Sequence, residues 1–279
     1  MSPKDNHSRC NPTLLEYPLH SRTTAFSTYR TGGCSTGSYA SFNANAYCGD
    51  DPRHVQQNRE ALCARLNIDS NSLVIPHQVH GTTTLHIDEE FLQLDSIQRG
   101  AALEGVDALT TNLPKVCVCV STADCVPLLL HDPTQGAVAA VHAGWRGTMA
   151  RIVTHVAEEM HKRYGTTAAD LQAVIGPSIS LASFEVGDEV YEAFAQHGHP
   201  MLQIAQRYPA PSPHTTKWHI DLWESNRLQL IEAGVHPDHI STAGICTFLH
   251  HDRFFSARRL GIASGRILSG IMRHEGGRQ

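Results

Sequence analysis

The chain has 279 residues, 41% of them hydrophobic and 18% charged, with a net charge of −5. That length suits one large domain or two small ones around a sizeable core, and the charge leaves no basic footprint for nucleic acid. No apolar run approaches the ~20 residues of a membrane span, and the opening MSPKDNHSRCNPT lacks a charged-then-apolar leader pattern.

The expectation is therefore a cytoplasmic protein whose eight cysteines are reduced thiols. No CxxC occurs, which argues against a zinc knuckle or a thioredoxin-like pair. Histidine is the outlier, at 19. Several (His7, His20, His197, His199, His236, His239) fall in segments that read as exposed, so the count alone does not imply metal.

In chain order, residues 1–22, with Pro3, Pro12 and Pro18, read as an irregular lead-in, and one domain is expected over 23–279. Residues 31–51 are a Gly/Ser/Asn-rich loop. DDPRHVQQNREALCARLNI predicts a helix capped by Asp51 with Pro52 at its first position. SLVIPHQVHG reads as a strand running into a His-bearing segment, and GVDALTTN as a turn. VCVCVSTADC, VPLLLHD and GAVAAVHA are buried strands, the last two separated by the turn DPTQG. Cys117 and Cys119 are read as small buried thiols.

TMARIVTHVAEEMHKRYG predicts an amphipathic helix with Met149, Ile152, Val153, Val156, Met160 and Tyr164 on one face and Gly165 at its C-cap. LQAVIGPSIS is strand then turn, and VGDEVYEAFAQHG is a helix. HIDLWESNRLQLIEAGV is another, with Asp221 as N-cap, Glu224 three residues on and Gly234 at its end. Residues 207–217 are the best linker candidate, read as a surface loop rather than a boundary. ISTAGICT and RFFSARRLG are expected as late strands. Strands and helices mix without regular βαβ repetition, which favours an α+β fold with mixed sheets.

The polar groups at strand ends carry the chemistry. His80, Cys125 and His142 each lie where an apolar strand meets a turn, so separate segments can bring them to one sheet edge. A thiolate and two imidazoles suit zinc, with a fourth position left open. The same atoms could instead make a cysteine hydrolase, with Cys125 paired to His142 and Asp124 or another carboxylate orienting the ring. Unlinked polar residues at strand ends remain the plain alternative. Asp124 is also a candidate proton carrier. Arg146, flanked by glycines in GWRG, could grip phosphate in two-pronged fashion or be structurally salt-bridged. Arg30, Asn43 and Arg258 carry the same ambiguity.

The motifs HQVHG, VDALTTN, TADCVPLLLHDP, AAVHAGWRGT, IGPSIS, FEVGDEV, DLWESNRLQL and FFSARR…GR, from about Phe26 to Arg266, resemble the YfiH-type laccase-domain family. The resemblance implies a single α+β domain with zinc held by His80, Cys125 and His142. It implies a purine nucleoside phosphorylase that uses purine nucleosides and phosphate, deaminates adenosine and cleaves methylthioadenosine. Members also carry the names multicopper polyphenol oxidase and peptidoglycan editing factor, so copper is the alternative metal and a peptidoglycan precursor the alternative substrate. Any deaminase would lack the PCxxC of the zinc nucleobase deaminases. A multicopper enzyme needs a blue site and a histidine-rich cluster, yet the chain has no HxH or HCH. Tyr29 and ANAYCGDD depart from the commoner family pattern, which bears on substrate preference.

Overall fold

The computed structural model describes residues 10–209 and 215–275. Its central sheet has six strands in the order β13 (Ile240–Thr242), β9 (Gln172–Ile175), β7 (Val126–Asp132), β8 (Ala137–Ala143), β5 (Ala108–Thr111) and β4 (Thr84–His86). A second sheet runs β1 (Leu14–Tyr17), β2 (Thr23–Thr28), β14 (Ile267–Arg273), β6 (Cys117–Thr122) and β3 (Leu73–Val74). A third, small sheet runs β10 (Glu185–Val186), β12 (Thr216–Ile220) and β11 (Ala205–Pro209). Parallel pairs β9–β13, β4–β5 and β3–β6 lie among antiparallel neighbours, so both large sheets are mixed in a single α+β domain.

The layering follows from the period-2 alternation of strand side chains. Leu128 and Leu130 of β7 face a core shared with Val153, Val156 and Met160 of the helix Ile152–Tyr164. Leu129, with Val138 and Ala140 of β8, faces the other way, onto Val118, Val120 and Ile271 of the second sheet. That sheet in turn packs Cys117 and Cys119 against Leu62 and Leu66 of the helix Pro52–Leu66. Four layers result, helix–sheet–sheet–helix, and inner strands buried on both faces read as unbroken apolar runs. Each buried Val or Leu contributes roughly 1.5–3 kcal/mol relative to exposure.

The expected helix signals hold. Asp51 accepts the Arg53 N–H, Pro52 opens the helix and Asn67, at φ 54°, ends it. Gly165 closes the helix Ile152–Tyr164 at φ 74°. Asp221 accepts the Glu224 N–H at the start of Leu222–Glu232.

Several expectations are corrected. The long helix expected from Thr148 is two pieces, Trp145–Met149 and Ile152–Tyr164, with Arg151 between them at φ 59°. The lead-in holds β1, an edge strand on β2. GVDALTTN contains β5, paired on both sides, rather than only a turn. RFFSARRLG is no strand: Ser256 Oγ accepts the Arg259 N–H and Asp124 Oδ2 the Arg258 N–H, so side chains take up the bonds a ladder would use. Residues Ala257–Leu260 form a helical turn, and the last strand is β14. His199 is buried, its Nε2 2.9 Å from the Met149 carbonyl. The flanks of the 207–217 loop are β11 and β12, antiparallel to each other, while residues 210–214, like His7, lie outside the described residues.

Candidate metal centre and its cleft

Three loops meet at one end of the central sheet. Cys125 precedes β7 and His142 is the penultimate residue of β8, and the antiparallel register pairs Pro127 with His142, so both sit at the same sheet edge. β5 pairs with β8 so that Ala108 lies opposite Val141. This places Asp107, the residue before β5, against His142, whose N–H donates to the Asp107 carbonyl at 2.8 Å. His80 arrives from the segment between β3 and β4, and its backbone adopts φ 64°. That left-handed conformation is uncommon for a residue with a Cβ and is locked from outside. Asp107 Oδ1 accepts the His80 N–H at 3.0 Å and Oδ2 accepts the Gly81 N–H at 2.7 Å.

One ligand atom each from His80, Cys125 and His142 lies within 4.8 Å of the others. Among the described residues this is the one group of His, Cys, Asp or Glu side chains placed to hold a metal. The set runs from buried His142 through half-buried Cys125 to exposed His80. His142 Nδ1 sits 2.7 Å from Asp107 Oδ1, whose side chain is fully buried. Burial alone would push the Cys125 thiol up, but the His142 and His80 imidazoles outweigh it and hold the thiol near 6. Burial would pull His142 down, but Cys125 and Asp107 raise it to about 9. Burial would push the Asp107 carboxyl up, but the His142 imidazole and the Gly81 and Val79 N–H groups draw it below its ordinary value.

Gly144 keeps this space open. A Cβ there would lie 2.9 Å from His80 Cδ2 and 3.2 Å from Cys125 Sγ. The three side chains open into a cleft of about 250 Å³, whose walls include Tyr47, His77, Ser121 and Arg266.

The other candidates from the sequence fare differently. Asp124, at φ 86°, is committed: Oδ1 accepts the Thr247 hydroxyl and Oδ2 the Arg258 N–H, both at 2.6 Å. Its carboxylate pins the 124–125 turn to the 256–260 segment, so it holds Cys125 in place rather than facing the cleft with a free oxygen. Arg30 spends its guanidinium on the Ala40 and His251 carbonyls. Asn43 is fully buried and bonded to Asn45, Asp50 and the Arg266 N–H. Arg258 turns its guanidinium to the Glu185 carbonyl. Arg146 is exposed, 4.3 Å over the Trp145 ring, and is not among the residues lining the cleft.

Arg266 does line it. Its Nη1 donates to the Ser264 and Gly265 carbonyls and its Nη2 to that of Ile262. With five N–H groups in a guanidinium, the Nε–H and one Nη2–H have no partner among the described residues. Asp107 and Arg266 are the residues that sequence reasoning missed. Both stand in quoted motifs, but only strand register reveals Asp107's partner, and only the cleft reveals Arg266.

No described helix is long and apolar enough to cross a membrane. Residues 24–274 match a family described as multi-copper polyphenol oxidoreductase laccase. The chain is 52% identical over 256 residues to a purine nucleoside phosphorylase of Bacteroides thetaiotaomicron, covering 92% of this chain and 93% of that one. It is 47% identical over 249 residues to an adenosine deaminase from an unknown prokaryotic organism, covering 89% and 93%. The crystal structure of YlmD from Geobacillus stearothermophilus superposes with a TM-score of 0.83 at 32% identity, covering 93% of this chain and 94% of that one.

Proposed function

The chain belongs to the multi-copper polyphenol oxidoreductase laccase family, and from that membership and its cleft we propose a zinc-dependent purine nucleoside phosphorylase. Its substrates are adenosine, inosine and methylthioadenosine, with adenosine deamination as a second activity. The relatives named purine nucleoside phosphorylase and adenosine deaminase support both activities. The observation that carries the reading is the convergence of His80, Cys125 and His142, backed by Asp107, in one cleft.

Two imidazoles and a thiolate are a donor set for zinc, and three protein donors leave a position for a reactant. The fit also rests on Gly144, which leaves room at His80 and Cys125 where a Cβ would press on both. When bound, zinc supplies a Lewis acid beside the substrate. The chain's own residues do the rest. Asp107 accepts the Nδ1 proton of His142, which fixes the tautomer and turns Nε2 toward the cluster. The uncommitted N–H groups of Arg266, a guanidinium on the cleft wall, suit the oxygens of phosphate. In phosphorolysis a phosphate oxygen bonds C1′ of the ribose as the glycosidic C–N bond breaks, and the purine leaves and takes up a proton.

Two rival readings use the same atoms. A cysteine hydrolase, acting on a substrate such as a peptidoglycan precursor, would need Cys125 as a free thiolate, which metal ligation suppresses. Copper could occupy the His/Cys/His set, since copper binds such ligands tightly. Multicopper oxidation needs further copper sites, and the described residues offer one cluster.

Elemental analysis paired with nucleoside turnover tests the proposal. We expect close to one zinc per chain and conversion of adenosine or inosine to free base only when phosphate is present. Equal base release in phosphate-free buffer would mean hydrolysis instead, and full activity after zinc is stripped would favour the cysteine reading.

A further inference from the structure

The cleft wall carries a feature that metal ligation does not require. The Tyr47 ring lies on the His77 ring with centroids 4.1 Å apart and planes 19° from parallel. Both residues line the cleft that holds His80 and Cys125. His77 is held through its ring and its backbone. Its Nδ1 sits 2.8 Å from both Glu104 oxygens, its N–H donates to the Leu103 carbonyl, and its carbonyl accepts the Gly105 N–H. Tyr47 is set by its own N–H, which donates to Asn45 Oδ1 at 2.7 Å. One face of Tyr47 is therefore covered by a rigid ring, yet the residue stays 48% exposed.

We infer that the Tyr47–His77 stack is the seat of the nucleobase: a planar purine lies on the open face of Tyr47, which sets the ribose beside the His80–Cys125–His142 cluster. This rests on the nucleoside reading of the same cleft and adds how the base is recognised. A purine offers a planar π-face, and stacking on an aromatic side chain is tolerant of the exocyclic group. That tolerance fits a site taking both adenine and hypoxanthine nucleosides. Asn45 also lines the cleft. Its Oδ1 is occupied by Tyr47, so its Nδ2 is the group left to donate to a ring acceptor of the base. Tyr47 touches the substrate in this arrangement, whereas Glu104 acts through His77 and is a positioning residue.

The test is calorimetric binding of inosine to the zinc-loaded protein without phosphate, where neither proposed activity consumes it, followed by steady-state kinetics, for wild type, Tyr47→Ala and Tyr47→Phe. We expect Tyr47→Ala to weaken inosine binding and raise the nucleoside KM about 10-fold, within the range of one base–aromatic stack. The phosphate KM, zinc content and melting temperature should stay at wild-type values, with kcat changed far less than KM. Tyr47→Phe keeps the ring and should bind as wild type does. Wild-type affinity in Tyr47→Ala, or no inosine binding by the wild-type protein, overturns the seat. Tyr47-dependent binding without phosphate-dependent turnover keeps the seat and removes the phosphorylase reading instead.

Discussion

The hairpin of β7 and β8 carries a buried histidine toward each end, and the two meet opposite fates. His142, at the cleft end, is raised to about 9 because Cys125 and Asp107 outweigh its burial. His131, near the turn, is 2% exposed and is pulled down to about 4, first by burial and then by the neighbouring His20. Its Nδ1 has no hydrogen-bond partner, and neither has Oδ2 of the adjacent Asp132. Residue type, hairpin and burial are shared. The difference lies in what other strands bring opposite: the β5 register delivers a carboxylate to His142, while the lead-in delivers a second imidazole to His131. A polar residue at a strand end becomes a site only where the topology gives it complementary neighbours.

The sharpest way to break this contrast is at the cleft end. Single Ala replacements of His80, Cys125 or His142 should drop zinc from about one per chain to near none and abolish turnover. Asp107→Asn should do less. It keeps the volume but removes the charge that orients His142, and such outer partners are worth roughly 10–100-fold in metal affinity. Competition with a chelator would resolve that ordering. Full zinc in all three Ala variants would show that the cluster is not the metal site.

A smaller effect sharpens which guanidinium serves the cleft. Charge-assisted hydrogen bonds contribute on the order of 1.5–3 kcal/mol, so Arg266→Ala should lower phosphorolysis roughly 10- to 100-fold with zinc retained. Arg146→Ala should change it less, because Arg146 stacks on Trp145 outside the cleft lining. The order of the two phosphate KM values decides it, and a larger loss at Arg146 would return the anion to GWRG.

How much of this was legible in the sequence follows from the same contrast. Apolar runs and caps announced β6, β7, β8 and the helices at Asp51 and Asp221, because period and capping chemistry are local. Strand-end placement pointed to His80, Cys125 and His142, and the family resemblance singled them out as ligands. The residue reading also flagged Arg30 and Asn43, whose polar atoms are spent on their own loop and on the His251 carbonyl and Arg266 N–H, since a sequence does not show which backbone groups await a partner. Asp107 was hidden because its role depends on β5 lying beside β8. The 253–261 segment misled because FF beside a polar tail resembles a strand, and Asp124, more than 100 residues away, supplies the acceptor that turns it into a helix.

The turn end of the hairpin should yield the smallest change in turnover, and it is the control for everything above. His131→Leu replaces a buried imidazole, whose Nδ1 is unpartnered, with an apolar side chain of similar volume. Zinc content and kcat should be unchanged, because His131 lies at the far end of β7 from Cys125. Stability should respond to acid instead. In the folded chain His131 stays neutral down to about pH 4, whereas in the unfolded chain it takes a proton near its ordinary 6.5. Between those values the unfolded state binds more protons, so stability falls as the pH drops through that window, and above it the residue contributes no slope. Gln172 and Asp132 favour the charged ring while His20 and Arg22 oppose it, and burial decides the balance. Removing the imidazole should flatten the wild-type loss between pH 6.5 and 4 by on the order of 1–3 kcal/mol. Urea titrations of both proteins across that range measure it, with the carboxylates common to the two cancelling in the difference. Parallel stability curves would mean that His131 is protonated alike in both states, and the asymmetry between the two ends of the hairpin would then not lie in their protonation.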